Sequence, residues 1–139
     1  MKLSRTVSYA VQATLQLAQS QSDAPVPCSQ LAADGNMPER FLLQILRNLV
    51  THGILRSTRG VDGGYALDRS PEAISLLDVI EAIDGPLGAA LPALDGGKLS
   101  AAEDRLRDAL GNVADSLRRE LEAIKLADLL GKGRAVRAS

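Results

Sequence analysis

Apolar residues recur every three or four positions near the start of the chain (Val7, Val11, Leu15, Ala18), and Ser4 stands ahead of them as a side chain able to cap a helix. The spacing predicts a first helix from about residue 4 to 20, ended by the polar stretch Ser20-Gln-Ser-Asp-Ala-Pro25. Val26-Pro27 then leads into residues 28–34, long enough for two helical turns, and Gly35-Asn36-Met37 reads as a turn. From Pro38 the positions Leu42, Ile45, Leu46 and Leu49 mark another amphipathic helix, stopped by Gly53 after His52. A helix, a short turn containing Gly and a second helix is the order of a helix-turn-helix.

Directly after it, Ile54-Leu-Arg-Ser-Thr-Arg59, a turn Gly60-Val-Asp-Gly-Gly64 and Tyr65-Ala-Leu-Asp68 predict two short strands, which together form a wing. Ser75-Leu-Leu-Asp78 is a capping box opening a helix closed at Gly85-Pro86. Residues 85–98 carry four Gly and two Pro and read as a linker loop. A long helix follows from about 100 to 125, on which Leu106, Leu110, Val113, Leu117, Leu121 and Ile124 form a narrow apolar seam with charged residues around it. Such a seam suggests pairing with another helix; the alternative is packing on its own domain. The basic tail, residues 131–139, reads as disordered.

Composition narrows the field. With 139 residues the chain has room for one compact domain and a long helix, so a multidomain enzyme is excluded. Leu and Ala outnumber Val and Ile about three to one, a helical bias. The only aromatics are Tyr9, Phe41 and Tyr65, too few for a base-stacking platform. One Cys and one His cannot close a zinc site, and no disulfide forms within the chain. Without a long apolar run or a signal-peptide core at the N-terminus, the protein reads as cytoplasmic, with no membrane partner. The net charge of −1 hides an asymmetry: residues 1–60 carry +3, residues 61–98 carry −5 and residues 99–139 carry +1. Positive potential therefore concentrates in the helix-turn-helix part.

The order of motifs resembles the Rrf-type family of bacterial winged-helix transcription regulators, which includes the iron-sulfur cluster assembly regulator and the cysteine-metabolism repressor. The resemblance rests on Lys2-Leu-Ser with Tyr9-Ala10, on Phe41-Leu-Leu-Gln-Ile-Leu46 running to Gly53-Ile-Leu55, and on Arg56-Ser-Thr-Arg-Gly60 through Gly63-Gly-Tyr65. Ile74-Ser-Leu-Leu-Asp-Val-Ile80, Asp84-Gly-Pro-Leu87 and Leu126-Ala-Asp-Leu129 continue it. It implies a mainly α fold with a small β wing: a winged helix-turn-helix DNA-binding domain (1–84), a linker loop (85–98), a dimerisation helix and C-terminal helix (99–130), and the tail. It also implies a homodimer on a near-palindromic operator in double-stranded DNA, most simply as a repressor. Carried over by position, the recognition residues are Pro38, Glu39, Arg40, Leu43, Gln44 and Arg47 on the second helix; Arg56 and Arg59, at the base or edge of the wing, can meet phosphates or enter a minor groove, and Lys2, Arg5, Ser57, Gly60 and Tyr65 complete the expected DNA-binding set. Gln44 can pair with adenine, and Arg40 or Arg47 can reach guanine or phosphate.

Two departures stand out. An acidic residue that some members use for base discrimination is replaced by Leu43, so no target sequence can be borrowed. Cluster-binding members place three cysteines after Gly85-Pro86, and this chain has none there, so no iron-sulfur site of that kind and no other cofactor is expected. Cys28 is then the one redox-active thiol. Lying at a helix N-terminus, it is expected to have a lowered thiol pKa and to serve as a redox sensor; the alternative is a small packed apolar residue. His52 reads as a capping residue beside a helix C-terminus rather than a ligand. Gly60-Val-Asp-Gly-Gly64 lacks the Lys-Ser/Thr of a phosphate loop, and nothing assembles a nucleophile, base and orienter. The pattern leaves room for a small-molecule or oxidant effector, including one held between the long helix and the winged domain. A different class of function is also open: a winged-helix module that binds a partner protein rather than DNA.

Overall fold

The computed structural model describes residues 2–20, 23–88 and 100–131. Most of the expected linker loop and the tail from residue 132 lie outside the described residues. The first helix, α1 (Arg5–Gln19), starts as its sequence predicts: Ser4 is extended and its Oγ accepts the Val7 N–H at 3.1 Å. Its buried face is Val7, Ala10, Ala13, Thr14 and Leu17. The two alanines keep that face thin, so other elements approach it closely. α1 packs against α2 (Cys28–Gly35), α3 (Glu39–Thr51), α4 (Leu76–Asp84) and the second wing strand.

The turn between α2 and α3 differs by one residue from its expected place. α2 continues through Gly35, and Asn36 adopts the left-handed conformation at φ 54°, with the Met37 N–H donating to Ala32 O at 2.8 Å. Gly35 serves another purpose, because a Cβ there would lie 2.5 Å from Gln16 Oε1 and 2.6 Å from Gln12 Nε2. Both glutamines of α1 reach across this contact. Gln12 Nε2 donates to Gly35 O at 2.8 Å and Gln16 Nε2 to Leu31 O at 3.3 Å. α1 thus holds α2 through two carbonyls of its last two turns, Leu31 O and Gly35 O.

The wing pairs β1 (Leu55–Thr58) with β2 (Gly64–Leu67) antiparallel, in the register Leu55 with Leu67 and Ser57 with Tyr65. A two-stranded ribbon is marginal alone. Here Val26 extends it: Val26 and Tyr65 exchange two backbone hydrogen bonds of 2.9 Å each, tying the α1–α2 connection to β2. Gly64 makes that approach possible, since a Cβ on it would stand 2.4 Å from the Val26 carbonyl.

After a single 3-10 turn at Pro71–Ala73, Ser75 caps α4 in the predicted capping box, with Asp78 N–H donating to Ser75 Oγ and Ser75 N–H to Asp78 Oδ2, both at 3.0 Å. α5 (Ser100–Ala123) is about 36 Å long at 1.5 Å per residue. Its end returns to the core. Leu76 N–H donates to Ile124 O at 2.8 Å, Leu126 N–H to Ile74 O at 2.9 Å, and the short α6 (Leu126–Leu129) follows. Glu81 fastens α4 to α5 and to the chain that follows α4, accepting from Arg118 of α5 and from the Leu87 N–H at 2.9 Å.

This arrangement divides the expected dimerisation seam, and part of it is corrected. Leu121 is buried in the chain's own cluster with Val7, Leu77 and Ile80, Leu117 packs against the same cluster, and Ile124 is half-buried. Only Leu106, Leu110 and Val113 remain exposed, at 43, 40 and 62%.

Gly64→Ala should detach the wing. Backbone strain at φ 151° and overpacking against Val26, each about 1–3 kcal/mol, together lower stability by roughly 2–6 kcal/mol, read as a depressed thermal midpoint in circular dichroism.

Candidate nucleic-acid interface

The rotation of α3 about its axis is set by its apolar stripe. Leu42, Ile45, Leu46 and Leu49 are at most 2% exposed, against Ala10, Ala13, Leu31, Ile54 and Ile74. Whatever lies opposite that stripe must face solvent. Arg40, Gln44 and Arg47, spaced by four and three residues, form that outer line and are all exposed; Leu43 beside them is half-buried. Pro38 supplies the extended residue before the helix and Glu39 its first turn. At the other end His52 Nδ1 lies 2.8 Å from Asn48 O, a local helix-end contact in keeping with capping.

The remaining predicted residues fall on two further elements. Lys2 and Arg5 are exposed at the start of α1. On the wing, Ser57, Arg59 and Gly60 are exposed, and Val61 at the tip is fully exposed. Gly60 takes φ 112° and accepts the Gly63 N–H at 3.0 Å, the geometry of a tight wing tip. Tyr65 is half-buried and packs on the core, so its backbone rather than its ring organises the wing.

Arg56 has a different setting. It pairs across the ribbon with buried Ala66, hence points to the same face, and its Nη1 donates to Leu67 O at 2.7 Å. It lines a cleft at the wing base together with the end of α1. Arg59 is left as the cation nearest the wing tip.

Cys28 corrects its expectation. It is the first residue of α2, but burial and then the neighbouring Glu39 carboxylate push its thiol pKa up rather than down. Its Sγ donates to Glu39 O at 3.7 Å, at the first residue of α3. Sequence spacing identified the helix end; it did not reveal that the fold brings Glu39 near enough for its charge to act on the thiol. Sequence reading also missed the Gln12 and Gln16 clasps, the Val26–Tyr65 bridge and the cleft. Only glycine placement hinted at them.

The Rrf2 family, described as iron-dependent transcriptional regulators, matches residues 3–132. A Mycobacterium tuberculosis protein carrying an HTH-type transcriptional regulator name is 41% identical over 133 residues, covering 94% of this chain and 82% of its own length. The HTH-type transcriptional regulator CymR of Bacillus subtilis is 31% identical over 118 residues, covering 84% and 85%. Among solved structures, CymR, the global cysteine regulator of B. subtilis, superposes with a TM-score of 0.66 at 30% identity, covering 93% of this chain and 95% of that one. IscR of T. potens gives 0.65 at 28% identity, covering 100% and 93%. The donor set does not fit an iron site held by several thiolates. The chain has a single cysteine, and among the described residues no three His, Cys, Asp or Glu side chains group to hold a metal.

Alkylation of Cys28 by iodoacetamide at pH 7 should run slower than that of a free cysteine and rise steeply only at alkaline pH, because a raised pKa leaves less thiolate. Glu39→Gln, removing the smaller of the two causes, should speed it at low salt; mass spectrometry reads both.

Proposed function

The chain belongs to the Rrf2 family of transcriptional regulators, and from that premise we propose that it is a DNA-binding repressor acting as a homodimer on a near-palindromic operator. The observation that carries this reading is the exposed line Arg40, Gln44 and Arg47 on a helix whose opposite face is wholly buried. A helix presented in that way enters a major groove with amide and guanidinium groups toward base edges, while Arg59 on the wing and Lys2 and Arg5 beside α1 meet phosphates. The named relatives are regulators, not enzymes.

Dimerisation is assigned to the half of α5 left open by its own domain: Leu106, Leu110 and Val113, apolar, exposed and one turn apart. Two such helices crossing there would present two reading heads to one duplex face. The redox arm of the proposal is Cys28. An oxygen added to its sulfur, 3.7 Å from the Glu39 carbonyl, would push on the first turn of α3. A signal at this thiol therefore acts through helix position, and the raised pKa makes it a slow one.

Selection from a random duplex pool with the full chain should return a two-fold symmetric sequence. Affinity for it should fall by about 10³–10⁵ between 50 and 200 mM salt if six to ten phosphates are neutralised per dimer. Arg59→Ala should weaken binding to all sequences, whereas Gln44→Ala should relax preference at one base pair per half-site. Failure to enrich any sequence would overturn the reading in favour of a protein-binding module.

Leu110→Glu should yield a folded monomer in sedimentation analysis and reduce operator affinity; a dimer that persists moves the interface elsewhere. Peroxide should lower the affinity of the wild type and not of Cys28→Ser, and equal responses would remove Cys28 from the mechanism.

A further inference from the structure

A cleft of about 410 Å³ lies between the end of α1, residues 23–26 and the base of the wing. Its volume falls in the range of small-molecule sites. The lining combines apolar groups of Leu17 and Ala66 with two guanidinium groups, Arg56 and Arg69, and two carboxylates, Asp23 and Asp68. These charges are not spent on each other. Among the described residues Arg69 pairs with Asp78 outside the cleft, while Arg56, Asp23 and Asp68 enter no ion pair. Arg56 is nonetheless held in place, since its Nη1 donates to Leu67 O and its other N–H groups stay available.

The chemistry of a fitting molecule follows from the signs. A plain anion would meet two carboxylates, and a plain cation would leave Arg56 without a partner, the Arg69 guanidinium being engaged by Asp78. A molecule carrying a carboxylate and an ammonium group satisfies both, with an apolar portion against Leu17 and Ala66. We propose that the cleft binds a free amino acid with an apolar side chain, its carboxylate on Arg56 and its ammonium group on Asp23 or Asp68. The walls come from α1, from the connection that Val26 bonds to Tyr65, and from the strands that carry the wing tip. An occupant therefore braces the wing against α1 and acts as an effector of whatever the wing touches. The inference stands apart from DNA reading, because it rests on the cleft alone.

The test is calorimetric titration of the full chain with L-leucine, then with the other standard L-amino acids, L-leucine methyl ester and 4-methylpentanoate. L-Leucine should saturate one site per chain. The ester and the deaminated acid, each lacking one charge, should bind about tenfold more weakly or worse. Asp23→Asn should weaken leucine binding, and Ala18→Leu, which extends a side chain from the cleft wall, should abolish it, with circular dichroism confirming that each variant folds. If Ala18→Leu unfolds, Asp23→Asn and the analogue series decide. Three results would overturn the proposal: no binding of any standard amino acid, 4-methylpentanoate binding as tightly as leucine, or leucine binding untouched by the folded variants.

Discussion

The structure depends on the burial of one stripe of four aliphatic side chains. Leu42, Ile45, Leu46 and Leu49 of α3 are removed from water against the small-residue face of α1, at roughly 1.5–3 kcal/mol per side chain. That contact does two things at once. It supplies much of the core, and it leaves α3 no freedom to rotate, so Arg40, Gln44 and Arg47 project outward without any interaction of their own to aim them. Ala10 and Ala13 matter because they are small: larger residues would lift α3 and tilt its whole outer line.

The wing is held by a different kind of force. Its own ladder is four residues long, and what makes it a fixed element is the exchange of two main-chain hydrogen bonds with Val26. The outer line of α3 and the wing are thus positioned by side-chain burial in one case and by backbone pairing in the other. Both anchors converge on α1 and on the connection that follows it. Glu81 extends the same framework to α5 by accepting from Arg118 and from the backbone of Leu87.

Much of this was legible in the sequence, and the reason is periodicity. The α3 stripe, Ser4 and the Ser75-Asp78 box are local patterns, and each appears where the spacing places it. What spacing could not disclose is which face a neighbour covers. The α5 seam is continuous in sequence, yet Leu121 is consumed by α4 and Val7, whereas Val113 is left open. Cys28 shows the same limit: its place at a helix start is a local fact, but the carboxylate beside it comes from eleven residues on, across a turn. Gly35 and Gly64 look like turn residues and act as spacers, a role that depends on Gln16 and Val26 arriving from elsewhere.

The return of the chain at Leu126 bears on how the molecule comes into being. Leu126 is fully buried in the same cluster as Leu42 and Leu49, and its N–H is bonded to Ile74 O, so the core of the winged head is closed by a residue more than forty positions beyond the end of α4. The segment after α5 therefore completes the core of the head rather than trailing from it. During synthesis the head stays unsealed until α5 has emerged behind it, so the core that fixes α3 is completed only when the chain has passed Leu126.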